Sequence, residues 1–253
     1  MTNKIGKAIT IMKHDVVLNV ANYGESDINN FWVSHVQGSD WEEHSFHIFD
    51  KFRNKSKVMI DMGGWLGITP LYCADKFGEV IAFECDSVAL DRFKNNLEAN
   101  PSINNVQLIE KAIWFKEGDI SFGSRKDGKL GDSESSVVFA DKGHLVPCTT
   151  LLQTLNDKRI HPRNVGFIKM DIEGSEYTII KSIKNLLSVY KPTLYISLHH
   201  HLLQRSEISD ILDILFSIYT NPSVYDNMGR SMLVTKSDIL DKKIGDCVFT
   251  KPL

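Results

Sequence analysis

The feature that most limits what this chain can fold into is "KVMIDMGGWLG", Lys57 to Gly67, where an apolar run ends in Asp61 and breaks at once into Gly63, Gly64 and Gly67. A buried strand that turns through glycines into a helix is the opening of a parallel α/β unit, because the turn needs backbone freedom and the strand needs cover on both faces. The periodicity continues the unit. Residues 58–60 read as a strand, 68–76 as a helix, 80–83 as a strand ending in Glu84, 87–99 as a helix and 106–109 as a strand. Such βαβαβ order predicts parallel strands with crossover helices.

The same alternation returns downstream, with strands at 165–170 and 193–198 and helices at 175–187 and 206–219. Two apolar runs in the tail, "SMLVT" and "DCVFT", are expected to close the sheet as an antiparallel hairpin. The expected architecture is a mostly parallel seven-stranded sheet in one main domain, residues 57–253. An insertion at about 115–147, rich in Gly, Ser and Asp, is expected to hold a hairpin and a mobile loop. Residues 1–56 form an extension, partly helical, in which Phe46, Phe49 and Phe52 with Ile48 mark a short amphipathic helix. Packing on the core is favoured there over a lid or a homodimer contact.

Composition excludes several function classes. With 253 residues, 42% hydrophobic content and a formal charge of -3, nothing global draws the chain to nucleic acid or to a membrane surface. The run Lys51, Arg53, Lys55, Lys57 reads as a solvated approach to the next strand. Cys73, Cys85, Cys148 and Cys247 form no CxxC pair, which suits a reducing compartment and offers no thiolate zinc site. The N-terminus lacks a signal-peptide core and no run reaches membrane-spanning length, so a cytoplasmic location without membrane insertion is expected.

Ligands of open α/β sheets bind beyond the carboxyl ends of the strands, where strand order reverses. Asp61 and Glu84 both stand at such ends, and a carboxylate at the second can accept two ribose hydroxyls. The glycine spacing is not GxGxxG, and a carboxylate at Asp61 would repel pyrophosphate. A nucleoside with a cationic tail fits better; S-adenosylmethionine, which carries an ammonium and a sulfonium, is the expected cofactor. The bland alternative is that Asp61 caps the helix and the glycines only turn the chain. A second constellation follows in "KMDIEGSEY" and "SLHHH", which bring Asp171, Glu173, His199 and His200 to neighbouring strand ends. Glu176 is assigned to the helix terminus, where the dipole favours an acid.

The ordered blocks "IDMGGWLGITPLY", "VIAFECD", "NNVQLIEKAIW", "GDSESSVVF", "VPCTTLLQTL", "FIKMDIEGSEYTII" and "KPTLYISLHHH" resemble the FkbM family of S-adenosylmethionine-dependent methyltransferases over residues 58–201. "NFWVSHVQGSDWEEHSF" is similar to the lead-in of members with Trp in the glycine turn. The resemblance implies a Rossmann-like class I methyltransferase sandwich. It implies that Asp61, Gly63, Gly64 and Gly67, with Asp171, cradle the methionine part, that Glu84 and Cys85 hold the ribose, and that Lys111 and Ala112 lie near adenine. It implies further that Ser135, Ser136 and Trp41 border the acceptor, a hydroxyl of a sugar, sugar nucleotide or glycan intermediate in surface-polysaccharide synthesis. A carboxylate, a phosphate-type oxygen or an amine remains the alternative acceptor, and a non-catalytic scaffold or a nicotinamide oxidoreductase the alternative class. His199 or His200 is expected as general base with Asp171 orienting it. The variant is a divalent metal held by Asp171, Glu173 and His199 that acidifies the hydroxyl.

Overall fold

The computed structural model describes residues 6–23, 29, 31–38, 41–124, 135–137, 143–220 and 222–251. The chain starts with an antiparallel hairpin, β1 (Gly6–Lys13) and β2 (Val16–Asn22), joined through His14 in a left-handed conformation at φ 49°. A π-helical turn, Phe31–Val36, and helix α1 (Glu43–Lys51) follow. Phe46, Ile48 and Phe49 of α1 are buried against Met59, Tyr72, Phe167 and Tyr195, so this face packs on the core as expected.

The central sheet then builds outward through β3 (Asn54–Met62), α2 (Ile68–Cys73), β4 (Phe77–Glu84), α3 (Ser87–Glu98) and β5 (Val106–Glu110). Asp86 caps α3 by accepting from the Val88 and Ala89 N–H groups at 2.8 and 3.1 Å. A second sheet interrupts: β6 (Ala112–Ile113), β7 (Gly118–Ser124), β8 (Ser135–Ser136) and β9 (His144–Thr149), in the order β6-β9-β7-β8. Within the insertion β7 pairs antiparallel with both β8 and β9, and the loop expected there falls largely outside the described residues.

After α4 (Leu151–Asp157) the chain returns to the other side of β3 with β10 (Val165–Met170), α5 (Glu176–Tyr190), β11 (Thr193–Ser197) and α6 (Arg205–Ile218). It ends with β12 (Ser223–Tyr225), β13 (Ser231–Leu233), α7 (Lys236–Lys242) and β14 (Asp246–Phe249). The sheet has eight strands in the order β13-β12-β14-β11-β10-β3-β4-β5, one more than expected, with a parallel run from β11 to β5. The two tail runs do not pair with each other. β13 pairs with β12, whereas β14 inserts antiparallel between β11 and β12. The stretch between them is helical because Thr235 and Asp238 form a reciprocal capping box, with bonds of 3.0 and 3.1 Å.

Alternation along β3 and β10 sends Ile60, Met62, Ile168 and Met170 to one face, under α5 and α6. It sends Met59 and Phe167 to the other, under α1 and β2. Strand order reverses between β3 and β10, so a crevice at their carboxyl ends is the expected place for a ligand. Among the described residues no helix is long and apolar enough to cross a membrane.

Candidate functional site

A cavity of about 370 Å³ lies at the carboxyl ends of β3, β4, β10 and β11. Its floor is the glycine turn. The Gly63 and Gly64 N–H groups donate to the Phe83 carbonyl at 3.2 and 2.9 Å, which ties the turn to the end of β4. Gly63 sits at φ +91°, and a Cβ there would fall 2.0 Å from the Asp171 carbonyl oxygen. Gly67, at φ +83°, would drive a Cβ to 2.3 Å from the Phe93 ring. Gly63, Gly64 and Trp65 line the cavity, whereas Gly67 stays behind it and serves the turn.

Glu84 dominates one end. Its Oε2 accepts from the Trp65 N–H at 2.7 Å, and its Oε1 accepts from the Cys85 and Asp86 N–H groups at 2.7 and 2.8 Å. Burial raises this carboxyl to about 7, and the three N–H donors work against that rise. Cys85, Lys111 and Ala112 line the same end, and Ser135 and Phe122 also line the cavity. The residues expected around a nucleoside are thus together. Ser136 is not on the wall; it is buried in β8, opposite Gly123 of β7.

Behind the glycine turn lies an ion pair absent from the expectations. Asp61 and Lys169 are register partners on β3 and β10, with Nζ 3.4 Å from Asp61 Oδ1 and 3.2 Å from Asp171 Oδ2. Lys169 also donates to the Gly63 carbonyl at 3.3 Å. Asp61 is fully buried and does not reach the cavity wall, which corrects the expectation that it cradles a ligand itself. Its partner Lys169 does line the cavity. Burial pushes the Asp61 carboxyl up to about 6 against the pull of Lys169. Burial disfavours the Lys169 ammonium, but the charges of Asp171 and Asp61 outweigh it and raise its pKa. The signal was the single lysine inside the apolar run "VGFIKM".

The second constellation closes around one imidazole. His199 Nε2 lies 3.4 Å from Asp171 Oδ1 and 3.2 Å from Glu173 Oε1, and Nδ1 lies 2.9 Å from Glu176 Oε1. Glu176 has no solvent exposure, and the same oxygen accepts from the Ile172 N–H at 3.2 Å. It is therefore a partner of His199 and not merely a dipole-side acid. Burial disfavours the charged imidazole, yet the hydrogen bonds of Glu173 and Glu176, with the Glu176 and Asp171 charges, push His199 up to about 11. Both ring nitrogens face carboxylates, so as an imidazolium His199 is a fixed positive charge in the wall. His200 turns away, its Nε2 donating to the Ile244 carbonyl at 2.9 Å, and it does not line the cavity. Asp171, Glu173 and His199 each offer a donor atom within 4.8 Å of the others. With a carboxylate behind Nδ1, this is also the arrangement of a ligating histidine, so the residues fit a divalent cation.

The wall facing Glu84 comes from the two chain ends. Trp41 lines it, with ring centroids 5.3 Å from Phe31 and 6.4 Å from Trp65. Glu42 follows at a left-handed φ of 45°. Asp246 of β14 accepts from Ser197 Oγ at 2.7 Å and lies 3.1 Å from His44 Nε2. Burial opposes both charges of this pair; the hydrogen bonds and charge of each partner raise His44 and lower Asp246. Of this group, sequence reasoning named only Trp41. "DWEEH" was its signal, and alone it is an ordinary helix start.

Against known proteins, the FkbM methyltransferase domain matches residues 67–225, more than half of the chain. No curated protein matches the sequence. Among solved structures, the methyltransferase FkbM from Methylobacillus flagellatus KT is similar at 20% identity and TM-score 0.51, covering 78% of this chain and 44% of its own. The chain thus spans under half the length of that protein, and the likeness shows the fold. An rRNA methylase from Streptococcus thermophilus is similar at 12% identity and TM-score 0.44, covering 83% of this chain and 94% of its own. A Streptococcus mutans protein described as a methyltransferase, in complex with SAH, stands at 15% identity and TM-score 0.44, with coverage of 82% and 94%.

Proposed function

The chain belongs to the FkbM methyltransferase family, and from that premise we propose that it moves a methyl group from S-adenosylmethionine to a hydroxyl of a sugar or glycan intermediate. The observation that carries this is the division of one cavity between Glu84, set by three backbone N–H groups to accept ribose hydroxyls, and a carboxylate-rich wall opposite. Bound there, the cofactor supplies an electrophilic methyl on a sulfonium. Glu84 orients the nucleoside, Lys111 and Ala112 flank its base, and Lys169 with Asp171 offers a charge pair for the amino-acid end. Trp41 and Ser135 border the acceptor and help exclude water, so alignment rather than reagent strength supplies much of the rate.

The acceptor wall carries Glu42, Asp171, Glu173 and Asp246 against the cations Lys169 and His199, an acidic balance that disfavours phosphate. A neutral or amino-bearing glycan is therefore favoured over a sugar nucleotide, and an RNA acceptor is disfavoured for the same reason. A cytoplasmic role in surface-polysaccharide assembly fits that substrate. Isothermal titration with S-adenosylhomocysteine tests the core of the reading. Wild type is expected to bind and Glu84→Ala to bind at least about tenfold more weakly, the loss of two charge-assisted bonds; a wild type that does not bind refutes it.

A second reading is favoured by the Asp171, Glu173 and His199 cluster. There a Mn²⁺ or Mg²⁺ would acidify the acceptor hydroxyl. Mn²⁺ titration followed by water-proton relaxation should show a site in wild type that Glu173→Gln removes. No site in wild type leaves His199 as a fixed cation beside the acceptor.

A further inference from the structure

Resting on the methyltransferase reading above, we propose that Glu42, supplied by the N-terminal segment, is the general base that takes the acceptor's proton. Six carboxylates line the cavity among the described residues: Glu42, Glu84, Asp86, Asp171, Glu173 and Asp246. Five of them pair with a cationic side chain or with backbone N–H groups. Glu84 holds three backbone N–H groups, and Asp86 caps α3. Asp171 lies 3.2 Å from the Lys169 ammonium and 3.4 Å from His199, and Glu173 lies 3.2 Å from the same imidazole. Asp246 is held by Ser197 at 2.7 Å and His44 at 3.1 Å.

Glu42 instead has a hydroxyl contact, from Ser45 Oγ to Oε2 at 3.3 Å, at the long edge of the hydrogen-bond range. Among the described residues no ammonium, guanidinium or imidazolium pairs with it. Its backbone is left-handed at φ 45°, a conformation a non-glycine residue adopts at a cost of about 1 to 3 kcal/mol and one that collects at functional positions. The charges that face it are Asp171 and Lys169 from the β10 end, Asp246 from β14 and His44 from its own helix. Burial and the Asp171 charge raise its carboxyl to about 7, where a carboxylate becomes a competent base near neutrality. His199 is a poor rival on geometry: its Nδ1 lies 2.9 Å from Glu176 and its Nε2 lies 3.4 and 3.2 Å from Asp171 and Glu173.

The step balances without a further reagent. The acceptor oxygen forms the new bond to the methyl carbon, the sulfur–methyl bond breaks and its electron pair stays on sulfur. The hydroxyl proton passes to a Glu42 oxygen and leaves to water once the product has gone.

The test needs no acceptor. Sinefungin carries an ammonium where S-adenosylmethionine carries its methylsulfonium, and S-adenosylhomocysteine carries nothing there, so the ratio of their affinities reads the charge facing the transferred methyl. Wild type is expected to favour sinefungin by about tenfold or more, the size of one well-placed charge-assisted bond. Glu42→Gln is expected to bring the ratio to about one while S-adenosylhomocysteine affinity stays within about threefold. His199→Gln should leave the ratio high. A wild-type ratio near one, or a ratio that Glu42→Gln does not lower, overturns the proposal. Equal weakening of both ligands by Glu42→Gln also overturns it, placing Glu42 on the amino-acid end. Failure of wild type to bind either ligand instead overturns the methyltransferase reading.

Discussion

Asp61 and Lys169 face each other from adjacent parallel strands at 3.4 Å, Asp61 fully and Lys169 almost fully withdrawn from solvent. Removing one partner of a buried pair leaves the other uncompensated, at a cost of about 3–5 kcal/mol. Lys169→Met should therefore lower the unfolding free energy by about that much. Adding Asp61→Asn to it should recover part of the loss. Urea unfolding of the single and double variants checks this, and a single-variant loss under about 1 kcal/mol would show that the pair is solvated.

The raised His199 makes stability depend on pH with a definite sign. Its folded pKa of about 11 lies above the ordinary 6.5, so its contribution is complete below the unfolded value and is lost as pH rises through that window. In chelator-treated protein, the thermal-midpoint difference between wild type and His199→Gln should be largest at the acid end and shrink steadily towards the alkaline end. A difference that grows with pH would contradict the imidazolium assignment.

Two glycines separate backbone strain from steric conflict. Gly63→Ala adds a Cβ 2.0 Å from the Asp171 carbonyl, whereas Gly118→Ala at φ +135° meets nothing within 4 Å. Gly118→Ala should lose only the strain, about 1–3 kcal/mol, and bind S-adenosylhomocysteine normally. Gly63→Ala should lose more and should weaken binding, because the shift propagates to Asp171.

Phe49 tests whether the N-terminal segment is core or lid. The ring is fully buried, with centroids 5.9 Å from Phe167 and 6.0 Å from Tyr195. Phe49→Ala should cost about 3–5 kcal/mol of global stability. A detachable lid would instead leave the main unfolding midpoint unchanged.

The parallel strands and their acidic ends were legible because buried runs and glycine turns are local signals, and Asp61, Glu84 and Asp171 each close such a run. Lys169 was passed over because a lone lysine in a strand acquires meaning only from its register partner, which is a property of pairing. Glu176 stands at the helix start as expected, but its bond to His199 was missed for a related reason. An acid at a helix start satisfies the dipole rule, and only the approach of His199 from β11 shows its second partner. The tail hairpin failed where "TKSD", a capping box, was read as a polar connection. Glu42 and Asp246 carry no motif that marks them as cavity residues, since they are brought together from opposite ends of the chain.

That last arrangement makes the two sides of the cavity unequal in how they are held. His44 and Asp246, which meet at 3.1 Å, are 202 residues apart, and β14 is seated through its antiparallel pairing with β11. The Glu84 end is built within one local stretch, from β3, the glycine turn and β4. Loosening β14 should therefore open the wall facing Glu84 while leaving the Glu84 end formed.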